Sequence, residues 1–177
     1  LAREESAPLT PDDAFLADPD SGRIKRLDDK AALALTRILV VRHPKAPLAY
    51  LSLGYMLDIN GLPADAEVTF RNGLKIAPED PDLWISLGTS LNKRDKVSDA
   101  RKCWSRAGAI HPANGQSWKL LASSYIISGE YRAAIPSLEK LRLADRATFD
   151  RFYDLFRVHR FDNPDAKELY DHFKTLR

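Results

Sequence analysis

The residues able to do chemistry in this 177-residue chain are His43, His111, His159, His172, Cys103 and 25 carboxylates. Metal ligation or acid–base catalysis needs several such groups to converge at ligand or proton-transfer distance. Their spacing gives no sign of that. His43 and His111 each precede a proline, where they read as turn residues, and the carboxylates scatter over predicted solvent faces. Cys103 lies beside Trp104 in a segment expected to pack, which favours a buried, inert thiol over a nucleophile. A single cysteine also excludes an intramolecular disulfide. There is no P-loop, no Gly-x-Gly-x-x-Gly fingerprint and no Gly-x-Ser-x-Gly elbow. The sequence supports no enzymatic reading, and it implies neither a metal nor a cofactor.

Recognition chemistry is the remaining class. Arg142, Arg146, Arg151, Arg157 and Arg160 lie among Phe149, Phe152, Tyr153, Phe156 and Phe161, an interleaving that can stack bases and hold phosphates. Asp145, Asp150 and Asp154 interrupt it, however, and the net charge is only +2, so nothing pulls strongly toward nucleic acid or anionic lipid. Phe149, Phe152, Tyr153 and Phe156 are better read as a candidate homotypic contact, through which a homo-oligomer could form. No apolar run approaches the ~20 residues that span a bilayer, and no signal peptide is visible. The chain begins with Leu1, which leaves a processed or larger protein open. A cytoplasmic location is the leading expectation, with a periplasmic or membrane-tethered domain as alternatives.

The elements that must position these residues follow a period of 34. Tyr50, Trp84 and Trp118 are spaced by it, as are Leu53, Leu87 and Leu121, Gly54, Gly88 and Ala122, and Ala66, Ala100 and Ala134. Pro78 and Pro112 keep the same step. Several registers moving together mark a repeat architecture. Within each copy, apolar residues recur at three- and four-residue steps (Leu48, Leu51, Tyr55 and Ile59, for example), which predicts helices. Asn60-Gly61-Leu62-Pro63, Pro78-Glu79-Asp80-Pro81 and His111-Pro112-Ala113-Asn114-Gly115 break them. The predicted helices are 47–59 and 63–77, 81–94 and 97–110, 115–128 and 131–144. Small residues at Gly54, Gly88 and Ala100 require a neighbouring helix crossing close by, and the aromatics fill the gaps between them. Asp28 to Val41, Thr148 to His159 and Pro164 to Leu176 read as flanking helices, Phe15 to Gly22 as a loop or cap, and Pro136 as a kink inside its helix.

Trp84, Leu87, Gly88, Leu91, Ala100, Trp104, Ala107 and Pro112 reproduce almost the whole signature of a tetratricopeptide repeat, which the chain resembles over residues 47–148. The first copy keeps Tyr50, Leu53, Gly54, Leu57, Ala66, Phe70, Gly73 and Pro78. The third keeps Trp118, Leu121, Ala122, Tyr125 and Ala134 but carries Leu138 for an aromatic and Arg146 for the proline. The resemblance implies an all-α, right-handed superhelix of stacked antiparallel helix pairs. Residues 1–24 are expected as an N-terminal extension or cap and 25–46 as a degenerate repeat helix. Repeats follow at 47–80, 81–114 and 115–148, and capping helices at 149–177, all in one domain.

The resemblance also implies a concave groove lined by the first helix of each repeat. Its positions here are Leu48, Leu51, Tyr55, Asp58 and Ile59, then Ile85, Thr89, Asn92 and Lys93, then Gln116, Lys119, Ser123, Ile126 and Ile127. Where the best-known grooves of the family carry a basic clamp for a C-terminal carboxylate, this chain has Leu51, Tyr55, Ser86, Gln116 and Leu120. The expected ligand is therefore a peptide or amphipathic helix of a protein partner, held by apolar anchors. Two other roles fit the same pattern: a dedicated chaperone of a secretion or assembly system, and a regulatory or targeting arm of a larger enzyme such as a transferase.

Overall fold

A computed structural model describes Thr10, Asp13, residues 29–158 and residues 164–176. Among the described residues the protein is all helix: α1 Asp29–Arg42, α2 Pro47–Ile59, α3 Pro63–Ile76, α4 Pro81–Lys93, α5 Val97–Ile110, α6 Gly115–Ile127, α7 Tyr131–Ala144, α8 Arg146–Val158 and α9 Pro164–Leu176. The chain forms two compact units, Leu1–Ala100 and Arg101–Arg177, whose boundary falls inside α5. The loop expected at Phe15 to Gly22 and the residues between the two C-terminal helices, 159–163, lie outside the described residues.

In the first unit, α2, α3 and α4 each open on a proline, which needs no intrahelical hydrogen bond at that position. Asp80 caps α4 with its carboxylate, accepting from the N–H groups of Asp82 at 2.9 Å and Leu83 at 3.1 Å. Consecutive helices pack from α1 to α4, and α2 also touches α4. Gly54 explains how close they come: a Cβ there would overlap the ring of Phe70 on α3. Leu83, Leu87 and Leu91 bury the inner stripe of α4.

The second unit repeats the device. A Cβ on Gly108 would stand 2.5 Å from the indole of Trp118, so α5 and α6 cross where only glycine fits. Helix α7 packs against α6, α8 and α9. It runs unbroken through Pro136, which can donate no hydrogen bond to the carbonyl one turn earlier. Helix α8 starts at Arg146, two residues before the sequence-based start. The cause is Asp145, whose carboxylate accepts from the Thr148 N–H at 3.0 Å and its hydroxyl at 2.5 Å. Those bonds hold the Asp145 carboxyl below the usual carboxylate range.

The 34-residue period is also written in hydrogen bonds. Tyr50 Oη donates to the Pro44 carbonyl at 3.0 Å, Trp84 Nε1 to Pro78 at 2.8 Å and Trp118 Nε1 to Pro112 at 3.0 Å. The turns repeat likewise. The N–H groups of Leu62, Lys96 and Glu130 reach back to the carbonyls of Leu57, Leu91 and Tyr125 at 2.9, 3.0 and 2.9 Å. Between each pair sits a residue of positive φ: Gly61 at 75°, Asp95 at 58° and Gly129 at 74°. This is the six-to-one closure that ends a helix through a left-handed residue.

Candidate functional site

In the first unit the first helices α2 and α4 lie side by side, and the residues spaced to line a groove fall on one face of each. On α2, Leu48 and Leu51 are half-buried, while Tyr55 and Ile59 stand 40% and 48% exposed, far more than large apolar side chains in a core. On α4, Ile85 and Thr89 are half-buried and Asn92 and Lys93 exposed. Thr89 turns its hydroxyl back to the Ile85 carbonyl at 2.9 Å, so its donor is satisfied within its own helix. Asp58 joins the two helices: its Oδ2 accepts from the Lys93 ammonium. Its Oδ1 is buried and meets no donor.

The second unit carries the rest on α6. Gln116 is exposed, Lys119, Ser123 and Ile126 are half-buried, and Ile127 is 84% exposed. The aromatic end behaves differently from the expectation of a contact between copies. Phe149 is fully buried with its ring 5.1 Å from Phe173, and Tyr153 stacks on Tyr170 at 5.7 Å. Helix α9 of the same chain covers both rings. Phe152 is half-buried, and the Phe156 side chain lies outside the described residues.

Two polar joints escaped the sequence reading. Glu67 on α3 is 8% exposed and holds three cations: Arg71 at 3.0 Å, Lys96 at 3.0 Å, and Arg94. Burial pushes its carboxyl up, but hydrogen bonds from Lys96 and Arg71 outweigh that and hold it below the usual range. Arg101 on α5 fans its guanidinium over the end of α6. It donates to Ser124 Oγ at 2.8 Å, the Ser124 carbonyl at 2.9 Å, Ser128 Oγ at 2.8 Å and Glu130 at 2.8 Å, and lies 4.1 Å above the Tyr125 ring. The available signal was register: Glu67 and Arg101 are 34 apart, as are Arg94 and Ser128, and Lys96 and Glu130.

His43 is more than a turn residue. It is buried, with Nε2 3.1 Å from the Asp13 carboxylate, which also accepts from Thr10 at 2.8 Å. His111 is exposed in its turn, His172 meets Glu139 at 3.1 Å, and Cys103 is buried. Among the described residues no three His, Cys, Asp or Glu side chains gather at a spacing that could hold a metal ion.

Antiparallel helix pairs, closed by the same turn every 34 residues, define the tetratricopeptide fold. Solved structures share it. A crystal structure of MamA superposes with a TM-score of 0.69 at 20% identity, over 88% of this chain and 82% of MamA. YrrB, described as a TPR protein with an unusual peptide-binding site, matches with a TM-score of 0.62 at 20% identity, over 85% of this chain and 78% of YrrB. PilF of Pseudomonas aeruginosa matches with a TM-score of 0.67 at 16% identity, over 93% and 77% respectively. No family model and no curated protein matches the sequence.

Proposed function

We propose that this chain is a non-catalytic protein-interaction scaffold that docks a peptide or amphipathic helix of a partner on the faces of its first helices. The observation that carries this reading is the exposed pair Tyr55 and Ile59 on α2, continuous with half-buried Leu48 and Leu51 and bordered by α4. Apolar side chains left in water on one helix face are a docking surface for another apolar face. The likeness in fold to YrrB, whose description includes a peptide-binding site, supports the same reading. The positions of a carboxylate clamp hold Leu51, Tyr55, Ser86, Gln116 and Leu120, so the anchor is apolar contact rather than capture of a chain end. Among the described residues no helix is long and apolar enough to cross a membrane.

The test is a double substitution, Tyr55→Ala with Ile59→Asp, read by quantitative affinity capture and by circular dichroism. Helicity should be unchanged and captured protein should fall at least about tenfold, as expected when central anchors are removed. Undiminished capture by the folded variant would refute the assignment of this face.

A further inference from the structure

The α2–α4 face has a chemical preference written into it, and the geometry points to a partner segment that carries a basic side chain beside its apolar anchors and seats that side chain on Asp58. This rests on the docking face just proposed and goes further by fixing the charge of the occupant. Asp58 sits one turn from Tyr55 and next to Ile59 in the last turn of α2. Its side chain is only 9% exposed. Oδ2 takes the Lys93 ammonium, whereas Oδ1 is buried without any donor. A carboxylate oxygen held unpaired is a costly arrangement in a free protein, and a ligand guanidinium that takes the place of Lys93 on Oδ2 and bridges to Oδ1 as the carboxylate turns supplies the missing bond.

Register supports the assignment. The positions matching Asp58 in the next two repeats are Asn92 and Ile126, so the carboxylate is a feature of this face and not of the repeat. A second acid, Asp82, lies in the first turn of α4, at the repeat position of Leu48. It shares the outward stripe with Ile85, Thr89 and Asn92 by helical periodicity. The face thus runs from one acid through an apolar middle to another, with Lys93 as its one base. Lys93 is an internal stand-in for the ligand cation: its side chain is 46% exposed, so its ammonium can swing into water while the ligand cation takes over its bond to Asp58. A basic ligand displaces it outward and leaves the apolar contacts in place.

Panning the intact chain against a random-peptide phage library tests this directly. Wild-type protein should enrich sequences with paired apolar residues and a Lys or Arg. Asp58→Asn should erase the basic preference and weaken the best synthetic peptide about tenfold, the share of one charge-assisted hydrogen bond. Lys93→Met should bind that peptide as well as wild type or better, because the competing cation is gone. Asp58→Lys should instead select acidic peptides, which separates a charge effect from simple misfolding. Enrichment with no basic preference, or equal affinity in Asp58→Asn, overturns the role of Asp58 while leaving the docking face intact. Binding that survives Tyr55→Ala with Ile59→Asp, or a library that yields no binder, overturns the face itself. Binding only to a second copy, seen as a concentration-dependent dimer in sedimentation, overturns the heterologous partner.

Discussion

Glu67 and Arg101 occupy one position of the repeat, 34 residues apart, and carry opposite charges. In the first unit the acid is on α3 and the bases, Arg94 and Lys96, are in the turn that closes the next helix, α4. In the second unit the base is on the helix, and Ser128 and Glu130 are in the turn. The joint between helix and turn is kept while its chemistry is inverted. What the fold requires there is a satisfied polar bridge of a given length. Either sign meets that need provided both ends change together.

The comparison breaks most sharply on charge reversal. Glu67→Arg places a fourth cation among Arg71, Arg94 and Lys96, none of which can accept a hydrogen bond. The loss should be on the order of 3 kcal/mol, the scale for a buried charge left with like charges. Arg101→Glu should cost less, about 1–2 kcal/mol, because the Ser124 and Ser128 hydroxyls can rotate from accepting to donating. Urea unfolding of the two variants of the full chain checks the order, and equal losses would mean that sign is irrelevant at this joint.

Acid sharpens the same contrast at smaller amplitude. The folded-state pKa of Glu67 is lowered relative to its unfolded value, so the carboxylate contributes stability above the unfolded pKa of about 4.3 and loses it as pH falls through the folded value. Arg101 stays charged throughout that range. Amide exchange measured from pH 6 down to pH 3 should therefore show protection at α3 falling in wild type. In Glu67→Gln, protection should start lower and fall less with acid.

The helices were legible because the residues that build them are the ones the period repeats. Leu87, Gly88 and Ala100 sit where packing tolerates little else, so identical types recur and can be counted. The joints were illegible for the opposite reason. A position that swaps Glu67 for Arg101 looks unconstrained when only identity is compared, although length and pairing are both conserved in space. The Asp58–Lys93 pair was hidden differently: both residues were named as groove positions, but their meeting depends on α2 lying beside α4. For Phe149 and Tyr153, sequence shows that an aromatic stripe exists and not which helix packs on it; in the structure α9 does. The third copy also shows why the period fades. Residue 146 is Arg instead of Pro and the aromatic position 152 is Phe, which has no donor for the bond that Tyr50, Trp84 and Trp118 make. Proline and donor disappear together, and Asp145 caps α8 in their place.

The smallest expected effect lies in the turns, where the period is held by backbone angle. Gly61 and Gly129 take φ of 75° and 74° at no steric cost, but Asp95 holds 58° at the same position. A side chain in the left-handed region costs about 1 kcal/mol, somewhat less for Asp than for most residues. Glycine removes that strain but loses more backbone entropy on folding. Strain relief should win here, because the closing bond from Lys96 N–H to the Leu91 carbonyl at 3.0 Å fixes the conformation whichever residue is present. Asp95→Gly should thus stabilise the chain by about 0.5 kcal/mol, visible as a rise in Tm, whereas Gly61→Ala and Gly129→Ala should each destabilise it. A fall in Tm for Asp95→Gly would show that the aspartate gives that turn something the glycines do not.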